Sequence, residues 1–341
     1  MHKRIQMEAG WTLEHIKRLA EDQEVSIVQY SEPLYIPDMD MLRMLNEELF
    51  RVRPDIVWRI YGFHLKPGDL SGLEQMSHVE KLCIDCNTQV THMEAIGALP
   101  KLKELELDVY EADSLSVLEL VPADLRLLRI GKTKTKKTDL SVLKRFTHLE
   151  SLSVNGHQRN ISVIGELTSL RQVAIQGMPL EELSFLTQLS VLENLHLSFG
   201  SAEQLGTLAG LEALQHLELL RVKGLSDLSV ISELTGLRSL KVEDQPHLAE
   251  LPSLDSLSNL HRIILANVGL KSLDWVQSST VLQELAMFEM KTLTVEDVER
   301  CVRQPNSLRR LLVGLKSIKS NKLAQQVIEE AGLWDDRTWW L

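Results

Sequence analysis

Cysteine is scarce. The 341 residues carry three, Cys83, Cys86 and Cys301, too few for a disulfide framework and in keeping with a reducing compartment, so the cytoplasm is the expected location. Aromatic residues amount to only 5%, and a core must therefore be built from aliphatic side chains. No stretch approaches the roughly 18 uninterrupted apolar residues of a membrane-spanning helix. The opening Met1-His2-Lys3-Arg4-Ile5-Gln6 has basic residues but no apolar stretch behind them and no small-residue cleavage site. It does not read as a secretory signal. Basic residues are outnumbered, 37 against 48 acidic, which leaves a formal charge of −11. That is the wrong balance for a general phosphate-backbone binder, so no nucleic-acid partner is expected.

What the chain has in abundance is a repeat. Leu-x-x-Leu-x-Leu segments occur at Leu102-Leu105-Leu107, Leu125-Leu128-Ile130, Leu149-Leu152-Val154, Leu170-Val173-Ile175 and Leu192-Leu195-Leu197. They continue at Leu214-Leu217-Leu219, Leu237-Leu240-Val242, Leu260-Ile263-Leu265, Leu282-Leu285-Met287 and Leu308-Leu311-Val313, with Val79-Leu82-Ile84 upstream. The first positions are separated by 23, 23, 24, 21, 22, 22, 23, 23, 22 and 26 residues. Between segments, apolar residues recur every third position, as in Leu180, Leu183, Leu186 and Leu189. A period of three fits neither a long α-helix nor a strand; it suits an extended or short 3-10 return leg with one edge turned inward. The x-Leu-x-Leu part has period two and predicts a short strand, its aliphatics inward and their neighbours outward. One coil of about 22 residues cannot bury its own apolar edge, and stacking makes the core continuous.

In these segments residues about 57–315 resemble the leucine-rich repeat proteins, and the 22-residue spacing is similar to that of the internalin-like bacterial subclass. The resemblance implies an α/β fold: a solenoid with a curved parallel sheet on its concave face and short helical or 3-10 return legs. It also implies that the concave face is the usual contact surface. The ninth repeat position departs from the family's Asn, which ties coils together through backbone hydrogen bonds. Only Asn87 matches; the others are Tyr110, Thr133, His157, Met178, Gly200, Val222, Gln245, Val268 and Met290. Irregular turns after the strands are the expectation.

The ends of a solenoid need covering. Thr12 can cap a helix carrying Leu13, Ile16 and Leu19, Val25–Tyr30 reads as a strand, and Pro37-Asp38 opens a second helix. Residues 1–56 are therefore expected to form an N-terminal cap, 57–315 the solenoid, and 316–341 a C-terminal helical cap with a tail that holds Trp334, Trp339 and Trp340.

Motifs that could carry chemistry are weak. Cys83-Ile84-Asp85-Cys86 lies in or just after a predicted strand, away from the helix N-terminus that activates such a pair, and a zinc site would want a second pair. Gly131-Lys132-Thr133 lacks the earlier glycine of a phosphate loop, since Arg126 stands there. The run Lys132, Lys134, Lys136 and Lys137 reads as a solvated loop. No His-Glu-x-x-His or Gly-x-Ser-x-Gly occurs. Neither catalysis, a cofactor nor a metal is expected.

The outward strand positions define the candidate contact face. Asp85, Glu104, Glu106 and Asp108 form an acidic step beside Arg129. Asn194, His196, His216 and Glu218 lie in a polar middle. Arg262, Ile264 and Phe288 belong to a zone that turns apolar, with Ala266 and Ala286 beside them. The expected partner of this face is another protein, one that could present a basic patch, with the chain acting as a monomer away from any membrane. An inhibitor or immunity-type protein that occludes a toxin or enzyme is the alternative. A surface adhesin of internalin type is disfavoured because neither a signal nor a C-terminal anchor is read.

Overall fold

Alternating aliphatics set the strands. In each repeat the two residues of the x-Leu-x-Leu part turn inward and lose nearly all exposure, as Leu217 and Leu219 do at 1% and 0%, while their neighbours stay on the solvent side. The computed structural model describes residues 3–32, 34–135, 138–181 and 183–334. It divides into two compact units, Met1–Leu170 and Arg171–Leu341.

The first unit runs β1 (Lys3–Gln6), α1 (Leu13–Glu21), β2 (Val25–Ser31), α2 (Met39–Leu45), β3 (Val57–Tyr61), β4 (Gly68–Asp69), β5 (Lys81–Asn87), β6 (Val90–Thr91), β7 (Glu104–Val109), β8 (Leu127–Ile130) and β9 (Ser151–Asn155). Strands β1, β2, β3, β5, β7, β8 and β9 pair in that order, all parallel, and β4 pairs with β6. The second unit holds β10 (Gln172–Gln176), β11 (Asn194–Ser198), β12 (His216–Leu220), β13 (Ser239–Gln245), β14 (Arg262–Val268), β15 (Glu284–Met290), α3 (Val295–Arg303), β16 (Arg310–Leu315) and α4 (Ile318–Glu330). Its seven strands also pair in parallel and in chain order. Each strand is one coil's contribution, so each unit is a parallel α/β solenoid.

Return legs follow the period of three. Short 3-10 turns occupy Ser71–Gln75, Met93–Ala98, Ser116–Glu119, Leu140–Arg145, Ile161–Glu166, Ser184–Gln188, Ser229–Glu233 and Asp274–Ser278. Longer helices appear early and late in the chain: α1 in a coil of ordinary length, α2 and α3 in coils that are longer, and α4 after the last strand. Thr12 caps α1 by accepting from His15 N–H, and Asp38 caps α2 by accepting from Met41 N–H. Strand β1 is absent from the sequence reading. Four residues with one inward-facing aliphatic carry no periodic signal of their own.

Eight of the ten turns after the strands share one geometry, contrary to expectation, while those at Tyr110 and Thr133 depart from it. The residue just before the ninth position adopts a left-handed conformation at Cys86, Gly156, Gly177, Phe199, Arg221, Asp244, Asn267 and Glu289. That single kink turns the ninth residue inward whatever its chemistry, so Val222, Val268 and Met290 pack as hydrophobes at 2% exposure or less. Backbone groups find partners in the next coil instead: Phe199 N–H donates to Leu220 O and Arg221 N–H to Glu243 O, at 2.9 and 3.0 Å. Where Asn is present it does bridge coils. Asn87 Oδ1 accepts from Phe63 N–H at 3.0 Å and its Nδ2 donates to Ile60 O at 3.1 Å. Gly200 fills the ninth position where a Cβ would stand 2.4 Å from Met178 O, too close for any side chain.

Of the tail expected beyond Gly332, residues 335–341 lie outside the described residues, as do Lys136 and Lys137 of the lysine run.

Candidate functional site

Parallel register places every second side chain of neighbouring strands side by side on the solvent face of the sheet. The candidate residues divide between the two units, Asp85, Glu104, Glu106, Asp108 and Arg129 in the first and the remainder in the second.

In the first unit the acidic step is a ladder of ion pairs. Arg59 on β3 donates from Nε and Nη2 to the two carboxylate oxygens of Asp85, at 2.7 and 2.6 Å. This bidentate pair is mostly shielded from water, and the carboxylate raises the Arg59 pKa further above its ordinary value. Lys81 meets Glu104 at 2.9 Å, and Arg129 meets Glu106 at 3.4 Å. Asp108 has no cationic partner among the described residues. Burial raises its pKa, and the charge of Asp85 adds to the shift. Gly131 makes room for it, since a Cβ there would stand 2.1 Å from Asp108 Oδ1.

The sequence reading missed Arg59 and the polar network behind it. Arg59 Nη1 donates to Gln29 Oε1 (2.9 Å), Gln29 Nε2 to Gln6 Oε1 (3.0 Å), and Tyr61 OH to Gln6 Oε1 (2.9 Å). The guanidinium also lies over the Tyr61 ring, 4.3 Å from its centroid. These residues occupy β1, β2 and β3, upstream of the first aligned repeat; the alternation Val57-Trp58-Arg59-Ile60-Tyr61 was the signal that could have found two of them.

In the second unit Glu218 is the hub. It accepts from Lys241 Nζ at 2.8 Å and pairs with His196 Nδ1 at 3.0 Å. Burial opposes ionisation of Glu218, but the hydrogen bonds from Lys241 and His196 outweigh it and hold the carboxyl below its usual range. His196 and His216 sit on successive coils without being register partners. His196 lies opposite Glu218, whereas the exposed His216 lies opposite Asn194 and Ser239. Arg262 donates to Glu284 at 2.6 Å, and Arg310 reaches the same carboxylate at 3.0 Å. Ile264 and Phe288 are half-buried. Ala286, on β15 opposite Ile264, is fully buried, so the apolar zone is narrower than the outward positions suggested.

Cys83 is buried, which pushes its thiol pKa up, and Cys86 is raised by the same cause. Cys301 is held at about 12 by burial in α3. None is a thiolate near neutrality, and all three are free. Among the described residues no group of three or more His, Cys, Asp or Glu is placed to hold a metal ion, and no helix is long and apolar enough to cross a membrane.

No protein-family pattern and no curated protein matches the sequence. Solved structures do match the fold. An internalin (inlF) from Listeria monocytogenes superposes over 83% of this chain and 86% of its own, with a TM-score of 0.50 and 18% identity. The fold is that of the leucine-rich repeat proteins. Toll from Drosophila, solved with Spatzle, aligns over 95% of this chain at a TM-score of 0.53 and 14% identity. TLR13, solved with ssRNA13, aligns over 98% at a TM-score of 0.53 and 15% identity. The chain spans about half the length of those two, 52% and 53%. At such identities the likeness is one of fold.

Proposed function

We propose that the chain is a non-catalytic, cytoplasmic module of bacterial type that holds a partner protein on the solvent face of its sheet. The observation that carries this is the face itself. Consecutive parallel strands present fixed, paired charges with apolar residues among them, a rigid surface that needs little ordering on binding. Three free thiols fit a reducing compartment. Among the similar structures Toll is held with Spatzle and TLR13 with ssRNA13; the charge of −11 favours the protein as the partner here. Occlusion of a basic toxin or enzyme is the special case that the same acidity favours. Within this reading residues 1–56 and 316–341 serve as end caps of the repeat.

Asp85, Glu104, Glu106 and Arg129 would exchange their present ion pairs for charges on the partner, and Asp108 would meet a partner charge directly, which favours specificity more than affinity. Asn194, His196, His216 and Glu218 would contribute polar contacts, and Arg262, Ile264 and Phe288 would anchor. The test is binding of the native partner by calorimetry. Glu104→Lys with Glu106→Lys should lower affinity, and Phe288→Ala should weaken it by roughly 1–3 kcal/mol. Unchanged affinity in both variants discards the face.

A further inference from the structure

A second surface lies away from the sheet face, at the carboxyl ends of β2 and β3. The loops that follow these strands run side by side and enclose a groove of about 800 Å³. Leu34, Tyr35, Ile36, Phe63 and Leu65 supply its apolar walls. Leu65 is 90% exposed, Leu34 64% and Ile36 59%. Aliphatic side chains scattered singly over a surface need no explanation, but several converging on one concavity do.

The groove is preformed. Phe63 at its base is buried and packs edge-on against Tyr30, which in turn contacts Trp58, with ring centroids 6.1 and 5.1 Å apart. Both loops are tied down by hydrogen bonds. Leu34 and Tyr35 N–H donate to Ser31 O, and Lys66 N–H donates to Glu32 Oε2. Phe63 N–H donates to Asn87 Oδ1, and Thr88 N–H donates back to Phe63 O. A tight turn at Gly62, with φ of +79°, starts the second loop.

The charge around the groove is one-sided. Glu32 and Asp69 line it, and Asp38 stands close enough to Tyr35 that its charge, after partial burial, helps raise the phenol pKa. Asp69 is held ionised by Ser71 N–H and by His92, whose Nδ1 lies 2.9 Å away. Against the two lining carboxylates and Asp38 beside them stand one lysine, Lys66, and the histidines His64 in the lining and His92 on Asp69. We propose that this groove is a docking site for a segment of a partner protein that carries large apolar side chains next to lysine or arginine. The apolar walls take the side chains, and the acidic rim complements the flanking charges. This surface shares no residue with the sheet-face site and stands or falls independently of it.

The probe is a displayed library of random dodecapeptides selected on the full chain, followed by fluorescence anisotropy of the enriched peptides. They should combine leucine, phenylalanine or tryptophan with adjacent lysine or arginine. Binding should fall about tenfold or more in Leu65→Asp and in Ile36→Asp. Both side chains are exposed, so neither change should alter the melting curve. Glu32→Gln with Asp38→Asn, which keeps a competent helix cap on α2, should weaken binding about threefold or more and flatten its salt dependence. Failure to enrich any peptide, enrichment of acidic ones, or equal binding by Leu65→Asp overturns the proposal. So does a Leu65-dependent dimer in sedimentation, which assigns the groove to a second copy. Leu65-dependent binding to phosphatidylcholine–phosphatidylglycerol vesicles likewise assigns it to a lipid surface.

Discussion

His157 occupies a position where most neighbouring coils place a hydrophobe or a small residue, and it does so almost without exposure, at 1%. Its Nε2 lies 3.0 Å from Gly131 O, and among the described residues Nδ1 has no hydrogen-bond partner. Burial lowers its pKa, with the hydrogen bond to Gly131 opposing the shift. The folded chain therefore keeps this imidazole neutral at pH values where the unfolded chain, near a reference of about 6.5, already takes up a proton. Above that value the titration of this histidine adds no pH dependence to stability. As pH falls below about 6.5 the unfolded state binds more protons than the folded one, and stability is lost until the folded pKa is passed. Urea unfolding between pH 7.5 and 5 should show this slope, and His157→Gln should flatten it. An identical pH profile in the variant removes His157 from the account.

The elements repeat one division of labour. On β12 the inward Leu217 and Leu219 are buried while His216 is exposed. Truncating an inward leucine leaves a cavity between stacked coils, whereas truncating an outward side chain removes almost nothing from the core. Leu219→Ala should destabilise by about 2–5 kcal/mol in chemical denaturation; His216→Ala should stay within about 0.5 kcal/mol. Equal effects would contradict the inward and outward assignment. That assignment was legible in the sequence because period two and period three alternate at a steady interval, and the 3-10 turn at Ser229–Glu233 falls where Leu228, Ile231 and Leu234 are spaced by three. The turns were misread for a physical reason. A left-handed residue such as Arg221 or Asp244 creates the inward ninth position by backbone geometry, and side-chain identity alone says little about φ. Nor does sequence distinguish the exposed Leu34, Ile36 and Leu65 from core aliphatics, because their difference lies in what packs against them.

At the scale of the whole molecule, charge is distributed differently from what composition suggests. The chain carries −11, yet on the sheet face Asp85, Glu104, Glu106, Glu218 and Glu284 each face a cationic side chain. The outward positions of the candidate site were readable from period two; these pairings were not, because they depend on register between coils about 22 residues apart. Apart from the shielded Arg59–Asp85 pair, such solvent-facing pairs contribute little to stability, so their arrangement constrains which charges a partner can bring. The central claim is that a protein is held on this face. It is tested most directly by placing a photoreactive side chain at Glu106 or His196 on the sheet face, and at Lys144 or Glu212 on the return legs, and irradiating in the source cells. The account predicts one discrete protein adduct from Glu106 or His196 and none from the return legs. Adducts confined to Lys144 or Glu212 would contradict it.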